Sequence, residues 1–165
     1  MNIVLCGMMG CGKTTVASAL SKSYNLERVD TDELIVSRYG EINGIFAEHG
    51  EEYFRDLESG ITAEVSEKYE NAVISLGGGC VLRKENIDCL KKSGKIFYLR
   101  AKAETLIKRV EGDTSRPLLK GGAEEKIRTI LAKRASVYES AADFIIDTDE
   151  LTPERIADIV WESVK

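Results

Sequence analysis

Short apolar runs and segments of helical period alternate along the whole chain. Residues 2–6 (NIVLC) are apolar after Asn2 and stop at Gly7, the pattern of a strand buried on both faces of a parallel sheet. Runs at 72–76 (AVISL), 95–99 (KIFYL) and 143–147 (DFIID) predict three more strands, and a short one ends near Arg28-Val29. Between them, small and apolar residues recur at helical spacing over 14–23, and 55–69, 84–92, 102–111 and 124–140 combine helical periodicity with charged outer positions. A last helix is expected from near Thr152, with Pro153 in its first turn, where proline is well tolerated. Alternating strands and helices imply a three-layer α/β/α fold with a mostly parallel five-stranded sheet, in a single domain over residues 1–165. Residues 112–123 (GDTSRPLLKGGA) break the alternation and read as a mobile surface loop centred on Arg116-Pro117.

The first strand runs into Gly7-Met8-Met9-Gly10-Cys11-Gly12-Lys13-Thr14, which fits G-x-x-x-x-G-K-[ST]. Glycines let the backbone curl so that successive N–H groups face phosphate oxygens, and the next helix offers its positive end to the same anion. Lys13 can reach the β- and γ-phosphates and the Thr14 hydroxyl can ligate Mg²⁺. Strand before and helix after are the context the motif requires. The chain is expected to bind a nucleoside triphosphate.

Composition narrows the class of partner. With 23 Lys+Arg against 28 Asp+Glu the net charge is −5, which argues against a nucleic-acid binder. The charge-free runs at 1–12 and 71–82 fall short of the ~20 apolar residues that span a bilayer. The N-terminus lacks a basic leader region, so a cytoplasmic protein off the membrane is expected. Cys6, Cys11, Cys80 and Cys89 form no metal-ligand spacing and read as reduced thiols, with Cys11 and Cys80 beside glycine-rich loops.

An acid must organise the magnesium, yet the AVISL strand ends in Gly77-Gly78-Gly79 rather than Asp. Asp30 and Asp32 are the candidates. Residues two apart on an extended chain point to the same side, so one could hold Mg²⁺ through water while the other contacts a phosphate acceptor. The alternative is that one of them caps a helix beginning near Glu33.

These elements together resemble the shikimate kinase family over nearly the whole chain. The resemblance is carried by Gly7–Thr15, Asp30-Thr31-Asp32, Phe46 with Gly50-Glu51, Phe54-Arg55-x-x-Glu58, Gly77-Gly78-Gly79, Arg116-Pro117-Leu118-Leu119 and Arg134-x-x-x-Tyr138. It implies transfer of the γ-phosphoryl of ATP to the 3-hydroxyl of shikimate, with Mg²⁺. It further implies that Asp32 orients or deprotonates the acceptor hydroxyl and that Arg55 and Arg134 clamp the shikimate carboxylate. Gly77, Gly78 and Gly79 would lie against shikimate, with the Gly78 N–H offered to a ring hydroxyl. ATP would contact Gly10, Cys11, Gly12, Lys13, Thr14, Thr15, Arg109 and Arg116, the last of these on a lid over 112–123. Thr14 and, through water, Asp30 would serve the metal. A helical acceptor-binding insertion would occupy about 31–60, and the protein would act as a monomer. Phe46 and Phe54 read as core aromatics or as acceptor contacts, and His49 as a surface residue.

Some features depart from relatives. The loop expected near adenine is acidic (Asp147, Asp149, Glu150), and the stretch 40–44 is one residue shorter than in some family members. A kinase of another hydroxylated acid such as gluconate is the nearest rival on the same scaffold. A nucleoside-monophosphate kinase lacks support because no Asp-Gly-(Tyr/Phe)-Pro-Arg segment is present. A non-catalytic ATP-binding domain would be expected to lose Lys13, Asp32 or Arg116, and all three are present.

Overall fold

A computed structural model describes residues 1–111 and 122–165. The strands are β1 (Asn2–Cys6), β2 (Glu27–Asp30), β3 (Ala72–Ser75), β4 (Gly94–Arg100) and β5 (Phe144–Asp147). The helices are α1 (Lys13–Tyr24), α2 (Thr31–Tyr39), α3 (Ile42–Lys68), α4 (Lys84–Ser93), α5 (Ala103–Glu111), α6 (Ala123–Ala141) and α7 (Pro153–Val164). A 3₁₀ turn spans Cys80–Leu82. The expected lid and its Arg116 fall outside the described residues, apart from Gly122 and Ala123.

The strand order is β2-β3-β1-β4-β5 and every pairing is parallel, so "mostly parallel" sharpens to wholly parallel. Right-handed crossovers then decide which face each helix covers. The step from β1 out to β2 puts α1 on one face. The steps β2 to β3, β3 to β4 and β4 to β5 all run the other way and put α3, α4 and α6 on the opposite face. After β5 the chain returns, and α7 packs on α1.

Burial follows the topology. Central β1 is buried along its whole length, and β4 buries Ile96, Phe97, Tyr98 and Leu99, whereas edge strands β2 and β5 expose most of their residues. Each such aliphatic or aromatic side chain withdrawn from water contributes about 1.5–3 kcal/mol. Charged Glu27 and Arg28 on the β2 edge discourage further strand pairing.

The largest difference from the sequence expectation is α3. Periodicity predicts a helix from about 55, whereas the chain is helical from Ile42 and is broken once, at Gly50, with φ 82° and ψ 173°. Nothing lies within 4 Å of a Cβ built there, so Gly50 is required for its dihedral angle and not for space. Two side-chain clamps fix α3. Arg38 of α2 makes a bidentate pair with Glu64 at 2.6 and 2.7 Å. Arg83 donates to Asp56 and Glu52 at 2.9 Å each and to Ser59 at 3.2 Å. Glu52, Asp56 and Ser59 share one helical face, and the adjoining face with Arg55, Glu58 and Thr62 meets the loop that follows β3.

Candidate active site

The chain leaves β1 and β3 towards opposite faces of the sheet, which opens a crevice at their carboxyl ends. A cavity of about 740 Å³ occupies it, lined by the loop after β1, Asp30, Asp32, the inner face of α3, Gly78, Gly79, Arg109, Arg134 and the start of α7. Gly7, Gly10 and Gly12 take φ of 144°, 79° and 97°. A side chain at Gly7 would begin 2.8 Å from the Leu99 carbonyl and 2.9 Å from Cys11 Sγ. Lys13 folds over this loop, donating from Nζ to the carbonyls of Gly7 at 2.6 Å and Met8 at 3.1 Å. Thr14 and Thr15 stand exposed in the first turn of α1, in the cavity. Arg109 on α5 donates to the Gly10 carbonyl at 3.2 Å, which ties that helix to the loop.

Asp30 and Asp32 both reach the cavity, although not by sharing a face of an extended strand. β2 ends at Asp30 and α2 starts at Thr31. Asp30 caps α2, its Oδ1 accepting from the Glu33 N–H at 3.0 Å, and this helix cap leaves Oδ2 for other work. Asp32 sits in the first helical turn. Burial holds its carboxyl above the usual carboxylate range, the Asp30 charge adds to this, and Lys13 and Arg55 oppose it. Between the two, the Thr31 hydroxyl accepts from the Gly77 N–H at 3.1 Å and so ties this turn to the triple-glycine loop.

The inward face of α3 carries Arg55 and Glu58. Arg55 Nη1 donates to Glu58 Oε1 at 2.9 Å and Nη2 to Glu51 at 3.3 Å. Glu58 is only 1% exposed, and burial holds it above its ordinary range despite Arg55. Asp32 and Glu58 converge on Gly77, where a side chain would begin 3.0 Å from Glu58 Oε2 and closer still to Asp32 Oδ1. The Arg55 guanidinium covers Gly79 so closely that a side chain there would have to displace it, and Arg134 Nη1 stands 3.4 Å from the corresponding point at Gly78. Two arginines therefore flank the glycine loop, with two carboxylates at its base and Lys13 across the cavity.

The sequence profile described as shikimate kinase matches residues 9–165. A shikimate kinase of Caldicellulosiruptor bescii is 44% identical over 159 residues, covering 95% of this chain and 91% of that one. Another, from Thermodesulfovibrio yellowstonii, is 46% identical over 159 residues with the same coverage. The chain belongs to the shikimate kinase family. Shikimate kinase from Acinetobacter baumannii, solved in complex with shikimate, matches the fold with a TM-score of 0.90 at 32% identity, over 99% of this chain and 92% of that one.

In this ATP-dependent kinase the expected site residues that fall among the described residues line one cavity, apart from Gly77, with three refinements. Gly77 lies behind the cavity wall with its N–H committed to Thr31, while Gly78 and Gly79 line the wall. Phe54 is 4% exposed and lines the cavity, packing on Phe46 at 4.9 Å between ring centroids. Phe46 itself lies behind it, and His49 is on the surface, stacked on Tyr53 at 4.3 Å. Two of the three acids at and beyond the end of β5 are engaged elsewhere. Asp147 pairs with Arg100 at 2.6 and 3.0 Å, and Asp149 accepts from the Lys102 N–H and the Thr105 hydroxyl at 2.9 and 2.6 Å. What this loop and α7 present to the cavity is Leu151, Pro153 and Ile156.

Sequence reasoning gave Glu58 no role, although its spacing from Arg55 puts both on one helical face. The apolar wall of Leu151 and Ile156 carried no comparable signal. All four cysteines are free, and burial pushes the Cys6 thiol up to about 12 and Cys80 upward as well, which keeps both as thiols.

Proposed function

We propose that the cavity holds MgATP on the side of the β1 loop and shikimate on the side of the triple-glycine loop. The γ-phosphoryl would pass to the shikimate 3-hydroxyl, giving shikimate 3-phosphate and ADP on the route to chorismate and the aromatic amino acids. One observation carries the acceptor side. Arg55 Nε is buried without a hydrogen-bond partner among the described residues. A buried guanidinium with an unfilled donor suits a carboxylate, which guanidinium groups bind with strong, directional bonds. Arg134, on the far side of Gly78, supplies the second half of the clamp.

Asp32 takes the acceptor proton as the hydroxyl oxygen bonds to the γ-phosphorus and the bond from that phosphorus to the bridging oxygen breaks, leaving ADP. A well-placed base is worth about 10²–10⁴ in rate. Lys13 exchanges its bonds to its own loop for the β- and γ-phosphates, assisted by the N–H groups of Gly10 to Thr15. Arg109, Leu151, Pro153 and Ile156 enclose the purine. Arg116 keeps the phosphate-closing role that the family resemblance gives it, worth ~10³–10⁵ for an arginine delivered to the transferring group. The reading includes an acceptor-binding segment at about 31–60, a lid at 112–123 and one domain overall.

The residues fit Mg²⁺ bound together with the nucleotide. Among the described residues no group of three His, Cys, Asp or Glu could hold a metal alone. Thr14 and the free oxygen of Asp30 are hard oxygen donors in the cavity, and Mg²⁺ characteristically takes one or two protein oxygens, water and phosphates. When bound it neutralises charge on the β- and γ-phosphates. Among the described residues no helix is long and apolar enough to cross a membrane. We read the protein as a cytoplasmic monomer without nucleic-acid partners.

The test is steady-state ADP release from MgATP with shikimate, gluconate or AMP as separate acceptors. Strong stimulation by shikimate alone is expected. No stimulation by shikimate with turnover on AMP would overturn the carboxylate clamp as drawn, and no stimulation by shikimate with turnover on gluconate would overturn the choice of acceptor.

A further inference from the structure

Tyr138 is fully buried, yet its hydroxyl ends in the acceptor half of the site. It lies on α6 one turn beyond Arg134 and donates to the Gly78 carbonyl at 2.5 Å. The Arg134 guanidinium stands beside this hydroxyl: Arg134 Nη1 and the Tyr138 hydroxyl lie 3.4 and 3.8 Å from the point where a side chain at Gly78 would begin. The ring is fixed against Tyr98, with centroids 5.0 Å apart, and Tyr98 is itself 1% exposed. Burial pushes the phenol up to about 12, with Arg134 opposing, so the hydroxyl stays a donor throughout the working range.

The Gly78 carbonyl shares a rigid plane with the Gly79 N–H, and in a trans peptide the two point in opposite directions. No peptide among the described residues is cis. A peptide between two glycines turns over easily unless something holds it. Tyr138 holds its oxygen end, so the Gly79 N–H faces away from α6. Neither Gly78 nor Gly79 has a backbone or side-chain acceptor for its N–H among the described residues, whereas Gly77 is tied to Thr31.

We propose that Tyr138 is a positioning residue for the phosphoryl acceptor, its one hydroxyl setting both the Arg134 guanidinium and the 78–79 peptide. It touches neither substrate. The inference rests on the proposed acceptor site and adds how that site is kept in register: without the hydroxyl, the clamp and the glycine loop move independently.

The test is Tyr138→Phe, which keeps the ring packing, beside wild type and Arg134→Ala as references. The KM for shikimate is expected to rise about tenfold, the scale of one lost hydrogen bond, with the KM for ATP within twofold of wild type. In an Arg134→Lys background the same change should cost less, because the two residues act as a unit. A merely structural role would move both KM values or neither, and would be additive with Arg134→Lys; any of these results overturns the proposal. A second measurement does not depend on the variant: in ¹⁵N-labelled wild type the Gly79 amide resonance should shift on titration with shikimate, and a resonance that stays still also overturns it. If wild type shows no shikimate-dependent turnover, the functional reading fails instead. If wild type and Arg134→Ala behave as that reading requires while Tyr138→Phe matches wild type, only the role of Tyr138 fails.

Discussion

Arg55 donates from Nη1 to Glu58 Oε1 at 2.9 Å, three residues along α3, and keeps its buried Nε free of any protein partner among the described residues. Burying Glu58 to 1% exposure is costly, and burial outweighs Arg55 in setting its protonation. The return is geometric. A flexible arginine is locked in one rotamer over Gly79 before any acceptor arrives, so less entropy is lost when it binds.

Glu58→Gln therefore tests preorganisation. The amide still accepts a hydrogen bond but gives up the charge, so Arg55 loosens without leaving. The KM for shikimate should rise about tenfold, in line with the difference between a charged and a neutral bond, with the KM for ATP unchanged. Initial rates over a grid of both substrates would show it, and a rise confined to ATP would refute the pairing's role.

Arg134→Ala removes the other half of the clamp. It should raise the KM for shikimate by roughly 10–100-fold, the range for a hydrogen bond to a charged group. The KM for ATP should hold, because the nucleotide lies across the cavity. A rise in the ATP value alone would mean that Arg134 serves the phosphates.

Much of this arrangement was legible in the sequence, and the exceptions have physical causes. Strands β1, β3 and β4 announce themselves because burial on both faces makes them continuously apolar. The phosphate loop is legible because its chemistry demands glycines at fixed spacing. The first half of α3 was hidden by Gly44 and Gly50, which interrupt the periodic pattern although the backbone remains helical except at Gly50. Asp30 and Asp32 both line the cavity, but the extended-chain spacing does not explain it, since Asp32 lies in a helical turn. The acids of the loop after β5 suggested an ill fit for adenine. Pairing with Arg100, the Lys102 N–H and Thr105, which takes up Asp147 and Asp149, can only be seen in three dimensions.

Two glycine substitutions should separate function from stability. At Gly79 an added methyl meets the far end of Arg55, which can swing aside; at Gly94 it meets the Asn2 backbone of central β1, which cannot. Gly79→Ala is expected to raise the KM for shikimate at least tenfold while the melting temperature changes by about 2 °C or less. Gly94→Ala should cost about 1–3 kcal/mol, the range for overpacking, or roughly 3–10 °C at this chain length, with KM values unchanged in the folded fraction. Thermal melts and kinetics on the same preparations decide it; equal thermal losses would contradict the assignment of Arg55 as the yielding partner.

Asp32→Asn should lower kcat by at least about two orders of magnitude with ATP affinity nearly intact, as expected on removing a general base. The same change should stabilise the fold. The Asp32 carboxyl is raised above its ordinary 3.8 in the folded state, first by burial and next by Asp30, so the folded protein holds this proton more tightly than the unfolded chain. Its favourable contribution is fully present below 3.8 and is lost as pH rises through the folded value, leaving a net cost at neutral pH. Replacing the carboxylate by an amide removes that cost. Near pH 7.5 the variant should melt above wild type. The advantage should shrink as pH falls towards 3.8, where wild type is protonated as well. A kcat loss accompanied by a lower melting temperature at neutral pH would mean that Asp32 is held by attraction to Lys13 and Arg55, and that its acid range is not raised.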